Sequence, residues 1–196
     1  MTSLAHASVV VTGASSGIGR ATALAFAAQG ARLTLAARRG EVLEEVAREC
    51  RAQGGQAVAV ATDVTDPEAV RALADAALDA WGRIDVWVNN AGLGVVGRFD
   101  EVPLDFHRRV LDVNLLGALH GAHAAIPVFR RQRQGVLVNT ISMGAWAPLP
   151  FASAYTASKF GLRGLAASLR QELADEPHIH VCGVFPSMID TPGIQH

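Results

Sequence analysis

A tyrosine, a lysine and a serine in this chain have a spacing that suits proton transfer. Tyr155, the only tyrosine, lies four residues before Lys159 and thirteen after Ser142. A phenol is a weak acid with an ordinary pKa of about 10, and a neighbouring ammonium favours its ionised form. If Tyr155 and Lys159 share a helix, this spacing places them on one face. A serine hydroxyl from a nearby strand end would then hold the oxygen atom that exchanges the proton.

The elements that must position these residues alternate between short β-branched segments and longer helical patterns. We predict strands over residues 8–11, 32–36, 57–61, 84–88, 136–141 and 179–185. Helices are predicted over residues 17–29, 41–53, 66–81, 114–129 and 153–176, with another beginning near residue 103. This alternation predicts an α/β fold in which right-handed crossovers join parallel strands into a doubly wound, Rossmann-type sheet. Residues 1–196 are expected to form one domain.

Distinctive residues follow the predicted strands at the point where each strand ends. They are Gly13, Arg38, Asp63, Asn89 with Asn90, Ser142 and Pro186. The carboxyl ends of parallel strands meet at one edge of a sheet, and ligands bind in the crevice there. The sequence therefore predicts a binding crevice at this edge.

The segment that follows the first strand is rich in glycine. Gly13, Gly17 and Gly19 precede or open the first helix, in the context typical of a dinucleotide-binding turn. Glycines permit the tight turn and a close approach to a pyrophosphate, whose charge meets the free N–H groups at the helix start. Ser15, Ser16 and Ile18 belong to the same predicted site. The alternative is a glycine-rich turn that binds no ligand.

The second and third strand ends bear on the choice of dinucleotide. No acidic residue that could hold a ribose 2′-hydroxyl occurs before Glu41, whereas Arg38 and Arg39 suit a 2′-phosphate. NADP(H) is therefore favoured over NAD(H), unless these arginines are ordinary surface charges. Asp63, with Val64 beside it, would accept a hydrogen bond from the adenine amino group, although it also fits a turn or helix cap.

Composition argues against several other classes of function. The 17 Lys and Arg residues nearly balance the 18 Asp and Glu residues, which disfavours nucleic acid as a partner. No apolar stretch approaches the length of a membrane span, and residues 1–8 lack the basic start of a signal peptide. Cys50 and Cys182 have the character of free thiols, which favours a cytoplasmic protein. A metal site at His120 and His123 lacks a third ligand, so no metal is expected.

Taken together, these motifs resemble the short-chain dehydrogenase/reductase family, in its main branch. The resemblance rests on TGASSGIG at 12–19, NNAG at 89–92, Asn114, Ser142 and the Tyr155–Lys159 pair, in the family's order and spacing. It implies a hydride transfer between NADP(H) and a carbonyl or alcohol. Two departures are Ser187, where the family usually has glycine, and the chain end at His196, beyond which the family continues with a substrate-covering segment and a seventh strand.

The resemblance also implies a role for each residue. Tyr155 would be the general acid or base, Lys159 would bind the nicotinamide ribose and favour the phenolate, and Ser142 would polarise the substrate carbonyl. Asn114 would hold a water that links Lys159 to solvent. Further cofactor contacts are expected from Asn89, Asn90, Ala91, Gly92, Pro186, Ile189 and Thr191.

Two apolar surfaces complete the expectations from sequence. The predicted helices over residues 114–129 and 153–176 are apolar or small on several faces, which favours a homodimer or homotetramer through them. An uncharged pocket is expected from Leu93, Val95, Val96, Trp146, Leu149 and Phe151, suited to an apolar ketone, aldehyde or secondary alcohol. The alternative function is a dinucleotide-binding regulatory protein without catalysis.

Overall fold

The fold is a parallel six-stranded sheet between two layers of helices. The computed structural model of the chain describes residues 4–187 and residue 189. The strand order is β3-β2-β1-β4-β5-β6, and every neighbouring pair is parallel. The order reverses between β1 and β4, which creates the crevice where ligands bind in doubly wound sheets. The predicted fold class is confirmed.

The elements follow one another in strict alternation along most of the chain. The strands are β1 (Ser8–Thr12), β2 (Arg32–Ala37), β3 (Gln56–Ala61), β4 (Val86–Asn89), β5 (Gly135–Thr140) and β6 (Ile179–Val184). The α-helices are α1 (Gly17–Ala27), α2 (Gly40–Ala52), α3 (Pro67–Trp81), α4 (Leu104–Leu111), α5 (Gly117–Gln132) and α6 (Ser153–Glu172).

Successive residues of each strand point to opposite faces, so the sheet supports two separate cores. Val9 and Val11 of β1 pack in the core under α1 and α2. Val10, between them, belongs to the other core, which also holds Trp87 of β4 and Phe129 of α5. Strands covered on both faces are apolar throughout, which explains the continuous valine run in β1.

Helix boundaries agree with sequence expectation where a capping residue marks them. Helix α3 begins as predicted, with Asp66 accepting a hydrogen bond from the Glu68 N–H and Pro67 in the first turn. It ends at Gly82, whose φ of 74° suits a left-handed C-cap. Helix α6, predicted to reach residue 176, ends at Glu172, and the chain turns before β6 begins.

The predicted break before Asn114 is a change of helix type. Residues Asp112–Leu116 form a π-helical turn between α4 and α5, and the Gly117 N–H bonds to the Asp112 carbonyl. Asn114 therefore lies inside a continuous helical segment and does not start a helix. A π-turn is rare and commonly occurs at functional sites because it alters the usual pattern of main-chain bonds.

Two further expectations concern the cysteines and the membrane. Cys50 is buried as expected, and burial raises the pKa of its thiol to about 11. Cys182, which the sequence places within an apolar strand, is exposed because it lies on the face of β6 that the described helices leave uncovered. None of the helices in residues 4–187 is long and apolar enough to cross a membrane.

Candidate active site

A crevice of about 590 Å³ follows the carboxyl ends of β1 to β4. Its wall includes most of the residues predicted to bind a cofactor: Gly13, Ser15, Ser16, Gly17, Ile18, Gly19, Arg38, Asp63, Val64, Asn90, Ala91 and Gly92. Arg39, Thr62, Leu93, Arg109 and Val113 also line it. Parallel pairing thus brings four of the strand-end residues that the sequence singled out to one crevice: Gly13, Arg38, Asp63 and Asn90. Ser142 and Pro186 do not line it.

The glycine-rich loop forms one end of the crevice. Gly13 and Gly17 have φ values of 66° and 53°, in a region that other residues rarely adopt. A Cβ on Gly13 would lie 2.8 Å from the Ala91 Cα, and one on Gly19 would collide with the Gly13 carbonyl. Within the described chain, Ser16 does not cap α1 with its side chain. The first N–H groups of α1 therefore remain available to an anion.

Asn90 and Thr12 hold the glycine-rich loop against the end of β4. Asn90 Nδ2 donates to the Thr12 carbonyl at 3.0 Å, and the Thr12 hydroxyl accepts from the Asn90 and Ala91 N–H groups at 3.0 and 3.1 Å. The same hydroxyl donates to the Val88 carbonyl. These bonds span more than 70 residues of sequence and fix the crevice across β1 and β4.

Asn89 is placed differently from its prediction. It is buried and does not line the crevice. Its Oδ1 accepts from Trp87 Nε1 at 2.8 Å, and its Nδ2 donates to the Ala118 carbonyl and to Asn139 Oδ1. Because residues two apart in a strand share a face, Asn89 follows Trp87 toward α5. It joins β4 to β5 and α5, and Asn90 alone of this pair reaches the crevice.

Arg38 and Arg39 stand at the outer end of the crevice. Both side chains are exposed, and neither forms an ion pair with any residue in 4–187. They follow β2 directly, at the strand end next to the glycine-rich loop. Two unpaired guanidinium groups at a crevice wall offer a binding position to a negatively charged group.

Asp63 meets a partner that the sequence did not identify. Its Oδ2 accepts from Arg109 Nη2 at 2.9 Å, and its Oδ1 accepts from the Thr65 N–H and hydroxyl at 3.0 and 2.8 Å. Burial alone would raise the pKa of Asp63, but the bonds from Thr65 and Arg109 outweigh it and lower the pKa to about 2. Since a carboxylate offers about four acceptor positions, one on Oδ2 remains for a ligand donor.

Lys159 and Tyr155 face the same way from α6, as their spacing predicts. Lys159 is only 5 % exposed, and its Nζ lies 5.6 Å from the centroid of the Tyr155 ring. The ammonium donates to the Thr140 carbonyl at the end of β5, 2.9 Å away. Burial disfavours the charged form and lowers the pKa of Lys159 to about 8.

Ser142 and Tyr155 both lie beside Gly144. Its φ of 154° and ψ of 155° are unusual for a residue with a side chain, and its Oγ accepts from the Gly144 N–H at 3.0 Å. A Cβ on Gly144 would be 3.4 Å from both Ser142 Oγ and Tyr155 Cε1. Glycine at this position therefore keeps the space between the hydroxyl and the ring open.

Asn114 connects α6, the helix that carries Tyr155 and Lys159, to the crevice. Its Oδ1 accepts from the Leu93 N–H at 2.8 Å, and its Nδ2 donates to the Leu93 carbonyl and to Ser158 Oγ. Leu93 lines the crevice, and a Cβ on the next residue, Gly94, would lie 3.7 Å from Tyr155 Cδ2. Both amide hydrogens are used within the protein, so a water at this side chain could contact only Oδ1.

The other predicted residues that the structure describes are absent from the crevice wall. Pro186 follows β6 and accepts from the Met143 N–H at 3.0 Å, so it supports the turn that follows Ser142. Ile189 is exposed, and Thr191 lies outside the described residues. Val96, Trp146, Leu149 and Phe151 are exposed apolar residues. The Gly97 N–H bonds to the Phe151 carbonyl and brings two of their segments together.

The histidines considered as metal ligands have other surroundings. His120 Nδ1 lies 2.9 Å from the Val64 carbonyl, and His123 is exposed. In the part of the chain that the structure describes, no three His, Cys, Asp or Glu side chains are grouped to hold a metal ion.

Comparison with known proteins places this geometry in a family. A family model for short chain dehydrogenase matches residues 7–196. The 1-deoxy-11-beta-hydroxypentalenate dehydrogenase of Streptomyces exfoliatus is 43 % identical over 189 residues, which cover 95 % of this chain and 68 % of that protein.

Solved structures agree with this match. A short chain dehydrogenase/reductase from Burkholderia phymatum in complex with NAD superposes with a TM-score of 0.94 at 33 % identity, covering 98 % of this chain and 69 % of that one. The alcohol dehydrogenase of the archaeon Thermococcus sibiricus, complexed with 5-hydroxy-NADP, gives 0.86 at 31 % identity over 93 % of this chain and 76 % of that one. The chain belongs to the short-chain dehydrogenase/reductase family and is an oxidoreductase of that type, with a nicotinamide dinucleotide as its cofactor.

Proposed function

We propose that this protein transfers a hydride between NADP(H) and a carbonyl/alcohol pair on a mainly apolar substrate. The observation that carries the proposal is the buried Lys159 ammonium 5.6 Å from the ring of the chain's only tyrosine, beside a crevice with a glycine-rich loop. The two glycines with positive φ and the uncapped start of α1 fit the pyrophosphate of a dinucleotide. The bound cofactor supplies the hydride, and the protein supplies position and charge.

In the direction of reduction, Tyr155 gives its phenolic proton to the substrate oxygen as that oxygen gains negative charge. The Lys159 ammonium favours the phenolate that remains, because opposite charges stabilise one another at short range in a buried site. Ser142 donates its hydroxyl hydrogen to the same substrate oxygen. Its Oγ already accepts from the Gly144 N–H, which leaves its own hydrogen free to be donated.

Asn114 has a supporting role in the proposal. Its side chain fixes the Leu93 main chain between the crevice and Tyr155. A water held at Asn114 would return a proton from solvent to Lys159. Since both amide hydrogens are used, that water would contact Oδ1 or the main chain of the π-helical turn.

The preference for NADP(H) rests on Arg38. It is exposed, has no acidic partner among the described residues, and lies on the crevice wall with Ser15 and Ser16. A guanidinium suits a 2′-phosphate, and no carboxylate follows β2 where a ribose 2′-hydroxyl would be bound. At the other side of the crevice, the free acceptor position on Asp63 would take the adenine amino hydrogen.

The substrate class follows from the residues around Tyr155 and Ser142. Four exposed, uncharged side chains are near these two residues: Trp146, Leu149, Phe151 and Val96. The first three lie between Ser142 and Tyr155 in the chain, and the Gly97–Phe151 hydrogen bond brings the segment of Val96 to them. An apolar ketone, aldehyde or secondary alcohol would cover this surface, and no side chain among these four would bind a phosphate or carboxylate.

A homodimer or homotetramer through α5 and α6 is part of the proposal. Leu116 of the π-helical turn, Leu119 of α5 and Phe160 of α6 are 42 %, 41 % and 38 % exposed. Light scattering should give at least twice the chain mass at micromolar concentration, and Phe160→Glu should shift the equilibrium toward monomer. A monomeric mass for the unaltered protein would contradict this assignment.

Steady-state oxidation of NADPH tests the proposed reaction. A panel of apolar ketones and aldehydes should be reduced, and an anionic carbonyl compound should be a poorer substrate. Tyr155→Phe removes one oxygen atom and should reduce kcat by at least about 100-fold, with cofactor binding retained. Unchanged turnover would refute the role of Tyr155. Cofactor binding without turnover of any carbonyl would favour the regulatory alternative.

A further inference from the structure

Arg163 lies one helical turn beyond Lys159 and two beyond Tyr155. The spacing of four residues puts all three on one side of α6. Arg163 Nη1 donates to the Ala145 carbonyl at 2.8 Å. The guanidinium carbon lies 4.2 Å from the centroid of the Trp146 ring and 5.4 Å from that of Phe160. Two of these contacts belong to the turn that follows Ser142.

That turn is short and begins in an unfavourable conformation. A 3₁₀ turn over Met143–Ala145 follows Ser142, whose φ of 154° is rarely adopted by a residue with a side chain. The bonds from Gly144 N–H to Ser142 Oγ, and from the Ala145 and Trp146 N–H groups to the preceding carbonyls, are all local. A strained conformation persists only where the surrounding structure holds it.

Contacts beyond the turn hold it at two places. The Met143 N–H bonds to the Pro186 carbonyl, and the Trp146 ring lies 5.7 Å from the Phe185 ring. These contacts join the turn to the segment after β6. At the second place, Arg163 provides a hydrogen bond from α6, the helix that carries Tyr155 and Lys159, to the turn.

The chemistry of arginine fits this position. A planar guanidinium stacks on aromatic rings while its N–H groups donate in the plane, which lysine cannot do in the same way. Arg163 forms no ion pair with the residues in 4–187, so the rings and the Ala145 carbonyl are its partners there. Ala145 itself is completely buried, so its carbonyl lies in a well-packed region.

We propose that Arg163 is a positioning residue. It holds residues 142–146, here called the Ser142 turn, against α6 so that the Ser142 hydroxyl stays opposite Tyr155. Its effect on catalysis rests on the proposed function. Its effect on the turn does not, because the contacts exist within the protein alone. Arg163 touches neither reacting group, and it acts through Ala145 and Trp146.

Arg170 provides a matched control on the same helix. Its Nε donates to the Val181 carbonyl at 3.1 Å, so it too joins α6 to a main-chain carbonyl, but away from Ser142. Arg163→Met and Arg170→Met remove the same groups and keep a similar aliphatic volume. Arg163→Lys retains a donor without the planar stack and guards against a loss of folding in the methionine variant.

Kinetics and hydrogen exchange would be measured on these variants, alone and combined with Ser142→Ala. Arg163→Met should lower kcat about 10-fold with a smaller change in KM, because a misplaced catalytic group is costly. The kcat of Arg163→Lys should lie between those of Arg163→Met and the unaltered protein, and the kcat of Arg170→Met should equal that of the unaltered protein. In the Ser142→Ala background, Arg163→Met should have less than about a 2-fold further effect. Amide exchange at residues 143–146 should accelerate about 10-fold in Arg163→Met and should not accelerate in Arg170→Met.

Three results would overturn the proposal. The first is a full kinetic effect of Arg163→Met in the Ser142→Ala background, which would mean that Arg163 acts independently of Ser142. The second is equal acceleration of exchange in both methionine variants, and the third is none in either. If the unaltered protein reduces no carbonyl, the proposed function fails, and amide exchange still decides the role of Arg163.

Discussion

Replacing Lys159 with methionine should make the protein more stable at pH 7, although Lys159 is proposed to be essential for activity. The side chain is 5 % exposed, and burial lowers its pKa from 10.5 to about 8. A pKa that is lower by about 2.5 means that burying the ammonium at neutral pH costs about 3 kcal/mol of folding free energy. Methionine has a similar length and carries no charge.

The hydrogen bond of Lys159 offsets part of this gain. Its Nζ donates to the Thr140 carbonyl at 2.9 Å, and methionine would leave that carbonyl without the donor, at a cost of about 1–2 kcal/mol. The net effect of Lys159→Met at pH 7 is therefore an increase of about 1–2 kcal/mol in the free energy of unfolding. Residues that a function requires often reduce stability in this way.

The pH dependence separates this explanation from simple repacking. Between pH 8 and 10.5 the unfolded chain still binds the lysine proton while the folded protein has released it, so the free energy of unfolding of the unaltered protein rises with pH. The burial cost is complete below pH 8 and is lost above 10.5. By pH 9.5 roughly half of it should remain, and the advantage of Lys159→Met should vanish.

Urea unfolding at pH 7 and 9.5 would measure these differences. Lys159→Arg is the control, because an arginine stays charged throughout this range and should show no such change. Lys159 is the only lysine of the chain, so the protein labelled with ¹³C-lysine gives one side-chain resonance whose titration midpoint should be near 8. A methionine variant that is less stable at pH 7, or a difference independent of pH, would refute the reasoning.

Three further changes test the crevice. Arg38→Asp should shift the ratio of NADPH to NADH affinity at least about 10-fold toward NADH in fluorescence titrations, whereas Arg48→Asp on the outer side of α2 should not; an unchanged ratio would show that Arg38 does not bind the 2′-phosphate. Hydrogen bonds hold the pKa of Asp63 at about 2 instead of 3.8, so the unaltered protein should lose stability as the pH falls from about 4 to 2, and Asp63→Asn should lose less over this window in acid unfolding curves. The surface variant Asp79→Asn is the control, and identical curves for Asp63→Asn and the unaltered protein would contradict the role of Arg109 and Thr65. Asn90→Ala should lower the free energy of unfolding by about 1–2 kcal/mol and weaken cofactor binding several-fold, because the glycine-rich loop loses its bond to β4; cofactor affinity equal to that of the unaltered protein would count against this.

The comparison of sequence with structure is informative at Asn89 and Arg109. Two adjacent asparagines at a strand end predicted two crevice residues, yet the alternation of β4 directs Asn89 beneath α5. Arg109 precedes Asn114 on an ordinary amphipathic helix, and nothing in its local pattern marks it as a crevice residue. Its bond to Asp63 joins positions 46 residues apart, and such a pair is fixed only when α4 packs beside the end of β3.

Helix ends show the same division. Asp66 with Pro67 predicted the start of α3, because capping depends on a few adjacent residues. Its end was expected near Trp81, where Gly82 caps the helix in the structure. The end of α6 lacked such a marker and was placed too late. The π-helical turn at Asn114 was expected only as a break, since the bond from Gly117 to Asp112 depends on how the segment packs against Leu93 and Ser158.

The sequence by itself determined the alternating order of strands and helices, the strand-end residues and the common face of Tyr155 and Lys159. Each depends on periodicity or on short spacing, which local backbone geometry imposes. The tertiary structure decided how deeply Lys159 is buried, which acceptor positions of Asp63 stay open and how Arg163 meets the Ser142 turn. Those features arise between elements distant in the chain, where packing sets the distances and excludes water.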